Sequence, residues 1–124
     1  MDKGDAFLMG VPGGTKKHLF VIISDLNKHD GFGVIVNFST DEVRSGGECP
    51  FARGEHPFLT ELVSWVCFGD ATPVPPPGWA KIQTGITNHL IIPQPKMSDA
   101  CVARIVNAAK ISRAFPPVLL RFLD

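Results

Sequence analysis

The side chains of this chain with chemistry to offer are a few histidines, a pair of hydroxyls at the end of an apolar run, and scattered cations. Lys17 and His18 are adjacent. An imidazole titrates at about pH 6.5, where one group can both take and return a proton, so His18 is a candidate general acid or base with Lys17 as a point charge beside it. The competing reading is a hydrogen-bonded residue at the lip of a buried strand. Ser39 and Thr40 can serve a site, or cap a turn by bonding nearby backbone. His56 precedes Pro57, which biases it towards an extended conformation and aims its ring either into a site or against Trp65 as a loop brace. Arg44 and Arg53 flank a Gly-rich stretch and can contact a phosphate or solvate a face. Trp79 can anchor a partner or a base, or simply pack.

Other chemistries are excluded by spacing. His18, His29, His56 and His89 form no HxH or HxxxH pair, and Cys49, Cys67 and Cys101 form no CxxC, so neither a metal nor a disulfide framework is expected. Gly10, Gly13 and Gly14 fit neither GxGxxG nor GxxxxGK[ST], which argues against ATP and NAD; no cofactor is expected. Twelve Lys plus Arg balance twelve Asp plus Glu, so nothing in the net charge points to nonspecific nucleic-acid or membrane-surface binding. The apolar run Leu19 to Ile23 is too short to span a bilayer and the N-terminus has no leader pattern, so a cytoplasmic protein with no membrane partner is expected.

The elements that must position these residues begin with three strands, Ala6 to Met9, Leu19 to Ser24 and Gly33 to Phe38. Turn-forming clusters at residues 10–14 and 27–31 separate them, giving an antiparallel meander. The unbroken run Leu19-Phe20-Val21-Ile22-Ile23 predicts burial on both faces, a barrel strand with a cover outside it, for which the C-terminal tail is the candidate. Leu62 to Phe68 reads as a central strand with Trp65 in the core. Thr72 to Gly78, with Pro73, Pro75, Pro76 and Pro77, reads as a stiff extended connector on the surface. Ser98 is a predicted N-cap, Val102, Ile105, Val106 and Ala109 form one apolar helix face, and Val118 to Leu123 adds a short last helical turn. The expected architecture is one domain: a small, mainly β, antiparallel barrel over residues 1–92, with a helical tail over 93–124 packed on it.

Taken in order, Gly4-Asp5, the segment from Lys17-His18 to Ser24 and the segment from Val34 to Ser39-Thr40 resemble the PemK/MazF-like toxin family of the CcdB/MazF superfamily. Gly54-Glu55-His56-Pro57-Phe58, Ser64-Trp65-Val66 and Lys96-Met97-Ser98-Asp99 resemble one branch of it, so the likeness covers nearly the whole chain. The resemblance implies an SH3-like or CcdB-like barrel, a homodimer, an antitoxin protein as partner, and metal-independent cleavage of RNA. Lys17-His18 stand near the place of the family's strand-start arginine and Ser39-Thr40 near its threonine, but the first arginine here is Arg44. A lysine lacks the planar fork with which arginine clamps a phosphate.

The catalytic set expected under this resemblance is Lys17, His18, Ser39, Thr40 and His56, with Arg44, Arg53 and Trp79 binding substrate. The alternative is a non-catalytic module on the same barrel that binds protein or RNA, favoured by the balanced charge and the missing strand arginine. Gyrase poisoning, as by CcdB toxins, ranks last, because Arg121-Phe122-Leu123-Asp124 has no counterpart of their toxic C-terminal residues. A tail folded over the groove would instead make an inactive or regulated relative.

Overall fold

The computed structural model describes residues 1–10 and 13–123. Part of the expected turn at residues 10–14 and the last residue of the tail thus lie outside the described residues. The body is a curled antiparallel sheet, barrel-like and mainly β, with helices packed on both faces.

Strands β1 (Ala6–Gly10), β2 (Lys17–Ile22) and β3 (Gly33–Ser39) form the expected meander, with Phe7 opposite Phe20 and Phe20 opposite Asn37. Between β2 and β3, Asp25 caps a short 3-10 turn at Leu26–Lys28, and Gly31 takes a left-handed φ of 83° that glycine adopts without steric cost. A four-residue helix, α1 (Glu42–Ser45), follows β3 and is capped by the Asp41 carboxylate. Then come β4 (Pro50–Ala52), β5 (Val63–Val66), β6 (Thr72–Val74), helix α2 (Pro76–Thr87), β7 (Ile92–Gln94) and helix α3 (Asp99–Ile111), with a 3-10 helix at Pro117–Phe122. The sheet order is β4-β5-β3-β2-β1-β7, and β6 pairs with the first half of β3 while β5 pairs with its end.

The apolar run of β2 is buried on both faces, as its composition requires. Leu19, Val21 and Ile23 join a large core with Val34, Val36, Phe51 and Val66, whereas Phe20 and Ile22 join a smaller one with Phe7, Ile35 and Ile82. The C-terminal tail belongs to the large core, through Val102, Ile105, Val106, Ala109, Phe115, Leu119 and Phe122. Ser98 caps α3 as expected, its hydroxyl accepting from Cys101 N–H. Each of Val102, Ile105 and Val106 then removes enough apolar surface from water to contribute about 1.5–3 kcal/mol.

The smaller core has a different cover, α2, which corrects the expected extended connector from Thr72 to Gly78. Pro76 and Pro77 occupy the first turn of this helix, where backbone N–H groups have no intrahelical acceptor and a fixed φ suits the start. Prolines that read as a bar to structure therefore begin a helix. Pro73 and Pro93 lie in β6 and β7, short strands at sheet margins where a missing donor is tolerated. Strand β5 is shorter than expected and reversed in facing: Ser64 is buried, Trp65 only half-buried, and Leu62 is exposed.

Candidate functional site

The strand pairing itself opens the site. The β2–β3 ladder ends at Phe20 opposite Asn37, while the last residues of β3 pair with β5 instead. Where β2 and β3 part, a ring nitrogen takes over from the backbone: His18 Nδ1 lies 3.1 Å from the Phe38 carbonyl oxygen. A carbonyl only accepts, so Nδ1 carries the hydrogen, and in the neutral ring Nε2 keeps its lone pair. The parted strands form one side of a groove of about 590 Å³ that His18 lines.

Lys17, His18, Ser39, Thr40 and Arg44 all line this groove, five of the eight residues expected at the site. Strand β2 delivers the first two, the end of β3 the next two, and α1 the arginine. Ser39 is buried and its Oγ accepts from Asp41 N–H at 3.0 Å, leaving its own hydrogen to donate. Thr40 and Arg44 are exposed, and the Arg44 guanidinium has no hydrogen bond or ion pair among the described residues. Lys17 is turned elsewhere: its Nζ donates to the Leu90 carbonyl at 2.8 Å, just beyond the C-terminal end of α2, where a cation suits the helix dipole.

The other three residues lie outside the groove lining. His56 is 2% exposed, and backbone consumes both ring nitrogens: Nε2–H donates to the Pro95 carbonyl at 2.7 Å, and Nδ1 accepts from Phe58 N–H at 3.1 Å. The Nε2 bond ties the loop after β4 to the segment after β7, across the two ends of the sheet path, and the Nδ1 bond braces the loop itself. Arg53 is exposed on the same loop. Trp79 packs on the smaller core from α2, with Nε1–H donating to the Gly31 carbonyl at 2.8 Å. A Cβ at Gly33 would stand 2.7 Å from the Trp79 ring, so that close approach requires glycine.

Lys16, Asp41, Glu61 and Ser64 were not expected at the site, yet they line the groove. With the Lys17 ammonium held at Leu90, the charged groups left to the lining are two cations, Lys16 and Arg44, and two carboxylates, Asp41 and Glu61. The signals that could have found two of them are an aspartate directly after Ser39-Thr40, a residue type suited to an N-cap, and the single polar side chain, Ser64, in an apolar strand. Among the described residues, none that lines the groove comes from the C-terminal tail, so the described part of the tail does not fold over it.

Burial pushes the Cys49 thiol up to about 11, despite the nearby Arg104 cation, and burial likewise pushes Cys67 up to about 11. Both are protonated, poor nucleophiles at neutral pH. Among the described residues no cluster of three or more His, Cys, Asp or Glu side chains is placed to hold a metal ion. No helix among them is long and apolar enough to cross a membrane. Comparisons with protein-family models, curated proteins and solved structures find no match to this chain.

Proposed function

We propose that the groove binds a phosphate-bearing chain and that the protein is a nucleic-acid-cleaving enzyme of the metal-independent class. Within that class the reading taken is a PemK/MazF-like toxin-type endoribonuclease, with an antitoxin and a second copy of the chain as its partners. One observation carries it: Lys17, His18, Ser39, Thr40 and Arg44 meet around one groove, with Nε2 the basic atom of His18.

Cleavage without a metal needs a base for the 2′-hydroxyl, donors for the charged phosphorane and a proton for the leaving 5′-oxygen. On this reading His18 Nε2 takes the 2′-proton, and Arg44, from α1, supplies the planar fork absent from β2. Ser39 and Thr40 hydroxyls donate to the phosphoryl oxygens, and the imidazolium formed in the first step returns its proton to the leaving oxygen.

A second reading, a non-catalytic binding module, draws on Lys17, whose ammonium is held by Leu90 at 2.8 Å. Tightly induced expression of wild type beside His18→Ala separates the two. Growth arrest with discrete new RNA ends, lost in the variant, is the outcome expected of the nuclease. Normal growth and intact RNA from abundant folded protein would leave the binding module.

A further inference from the structure

We infer that the loop between β4 and β5 is a wall of the groove whose position is set from the far side of the molecule, by a latch to α3 and the segment leading into it. The inference deepens the functional reading above and rests on the groove being a binding site.

Residues 53–62 are tied to themselves. Arg53 N–H donates to Leu62 O, Gly54 N–H to Leu59 O and Leu59 N–H to His56 O, at 3.3, 2.9 and 2.9 Å. Such a loop shifts as a unit. Its outer part, Phe58 to Glu61, lines the groove together with the ends of β2 and β3. Among the described residues, two polar ties hold the loop to the rest of the chain beyond its own strands. One is the His56 Nε2–H bond to Pro95 O at 2.7 Å. The other is the Arg104 fork on Glu55, two bonds of 2.9 Å, with the guanidinium 3.8 Å over the Phe51 ring. Leu59, 4% exposed, is its apolar anchor.

The two sides of the groove are therefore built differently. The His18 side is continuous with the ladder of the sheet, and the loop side is fastened from outside. His56, Glu55 and Arg104 do not line the groove, so they are positioning residues: they act on it by holding Phe58 to Glu61 in place. The seat of α3 on the sheet is thereby coupled to the width of the groove.

The test compares wild type with Arg104→Gln, His56→Gln and His56→Asn by amide hydrogen exchange, by the NMR signals of the His18 ring, and by binding and cleavage of a labelled single-stranded RNA of mixed sequence. Gln can keep the donor to Pro95, whereas Asn keeps only an acceptor near Nδ1. Arg104→Gln is expected to speed exchange at Phe58 to Glu61 by about two- to fivefold, as for a partly exposed ion pair, and His56→Asn by about tenfold, the cost of one lost buried hydrogen bond. They should also shift the His18 ring signals and raise KM for RNA with little change in kcat, and His56→Gln should restore most of the wild-type behaviour. If the buried His56 variants fail to fold, the exposed Arg104 variant carries the test. Unchanged exchange and unchanged His18 signals in folded Arg104→Gln would overturn the latch. Exchange and ring signals that change as expected in a protein that neither binds nor cuts RNA would uphold the latch and defeat the nuclease reading.

Discussion

His18 lies near the start of β2 and His56 in the loop after β4, and each has a ring nitrogen bonded to a backbone carbonyl. They differ in the second nitrogen. At His56 it accepts from Phe58 N–H, in a site 2% exposed, so the ring is spent on joining two parts of the fold. At His18 one nitrogen is fixed by Phe38, on a residue that lines an open groove, so the ring is oriented yet still has a basic atom to use. A histidine fully satisfied by backbone is a fastener, and one satisfied on a single side is equipped for proton transfer.

Four measurements test that contrast. The largest effect is expected from His18→Ala, which should lower RNA cleavage by about two to four orders of magnitude, the usual worth of a general base, while Tm hardly moves. His56→Ala should do the reverse, costing about 2–4 kcal/mol in urea unfolding through two lost hydrogen bonds and a cavity. Equal losses of stability from the two would dissolve the contrast. Arg104→Gln should cost less, about 0.5–1 kcal/mol near neutral pH, because the ion pair is partly exposed.

That third effect has a pH signature. The hydrogen bond from Arg104, and then the one from Ala52 N–H, hold the Glu55 carboxyl below the usual carboxylate range. A depressed folded value gives stability that is present above the unfolded carboxylate value of about 4.3 and lost as pH falls through the lower folded one. The gap between wild type and Arg104→Gln should thus be full at neutral pH and close in strong acid, and a gap independent of pH would assign Arg104 to packing on Phe51 alone. The smallest effect concerns Cys49 and Cys67, pushed up to about 11 by burial. At pH 8 both should react with iodoacetamide far more slowly than a free thiol, as read by mass spectrometry of the native protein.

The sequence showed most where one physical rule acts alone. The β-branched and aromatic runs of β1 to β3, bounded by turn formers, and the 3.6-residue spacing of Val102, Ile105, Val106 and Ala109 needed no tertiary context to be legible, and Ser98 was a cap in sequence and in structure. Helix α2 was hidden because proline is read first as a breaker, and only the position of Pro76 and Pro77 in the first turn makes them helix starters. Strands of three residues, β4, β6 and β7, are too short to show a period. At the groove, the adjacency of Lys17 to His18 and of Ser39 to Thr40 was visible, and their convergence follows from strand pairing. The separation of His56 from the groove was invisible, since it depends on Pro95, thirty-nine residues away.

The most direct measurement is cleavage of a labelled single-stranded RNA by the purified protein in excess chelator, with His18→Ala at matched stability beside it. The wild type should make discrete cuts that persist in chelator and end in 2′,3′-cyclic phosphates, and the variant should cut slower by about two to four orders of magnitude. No cuts by folded wild type, or equal cutting by the variant, would contradict the nuclease reading.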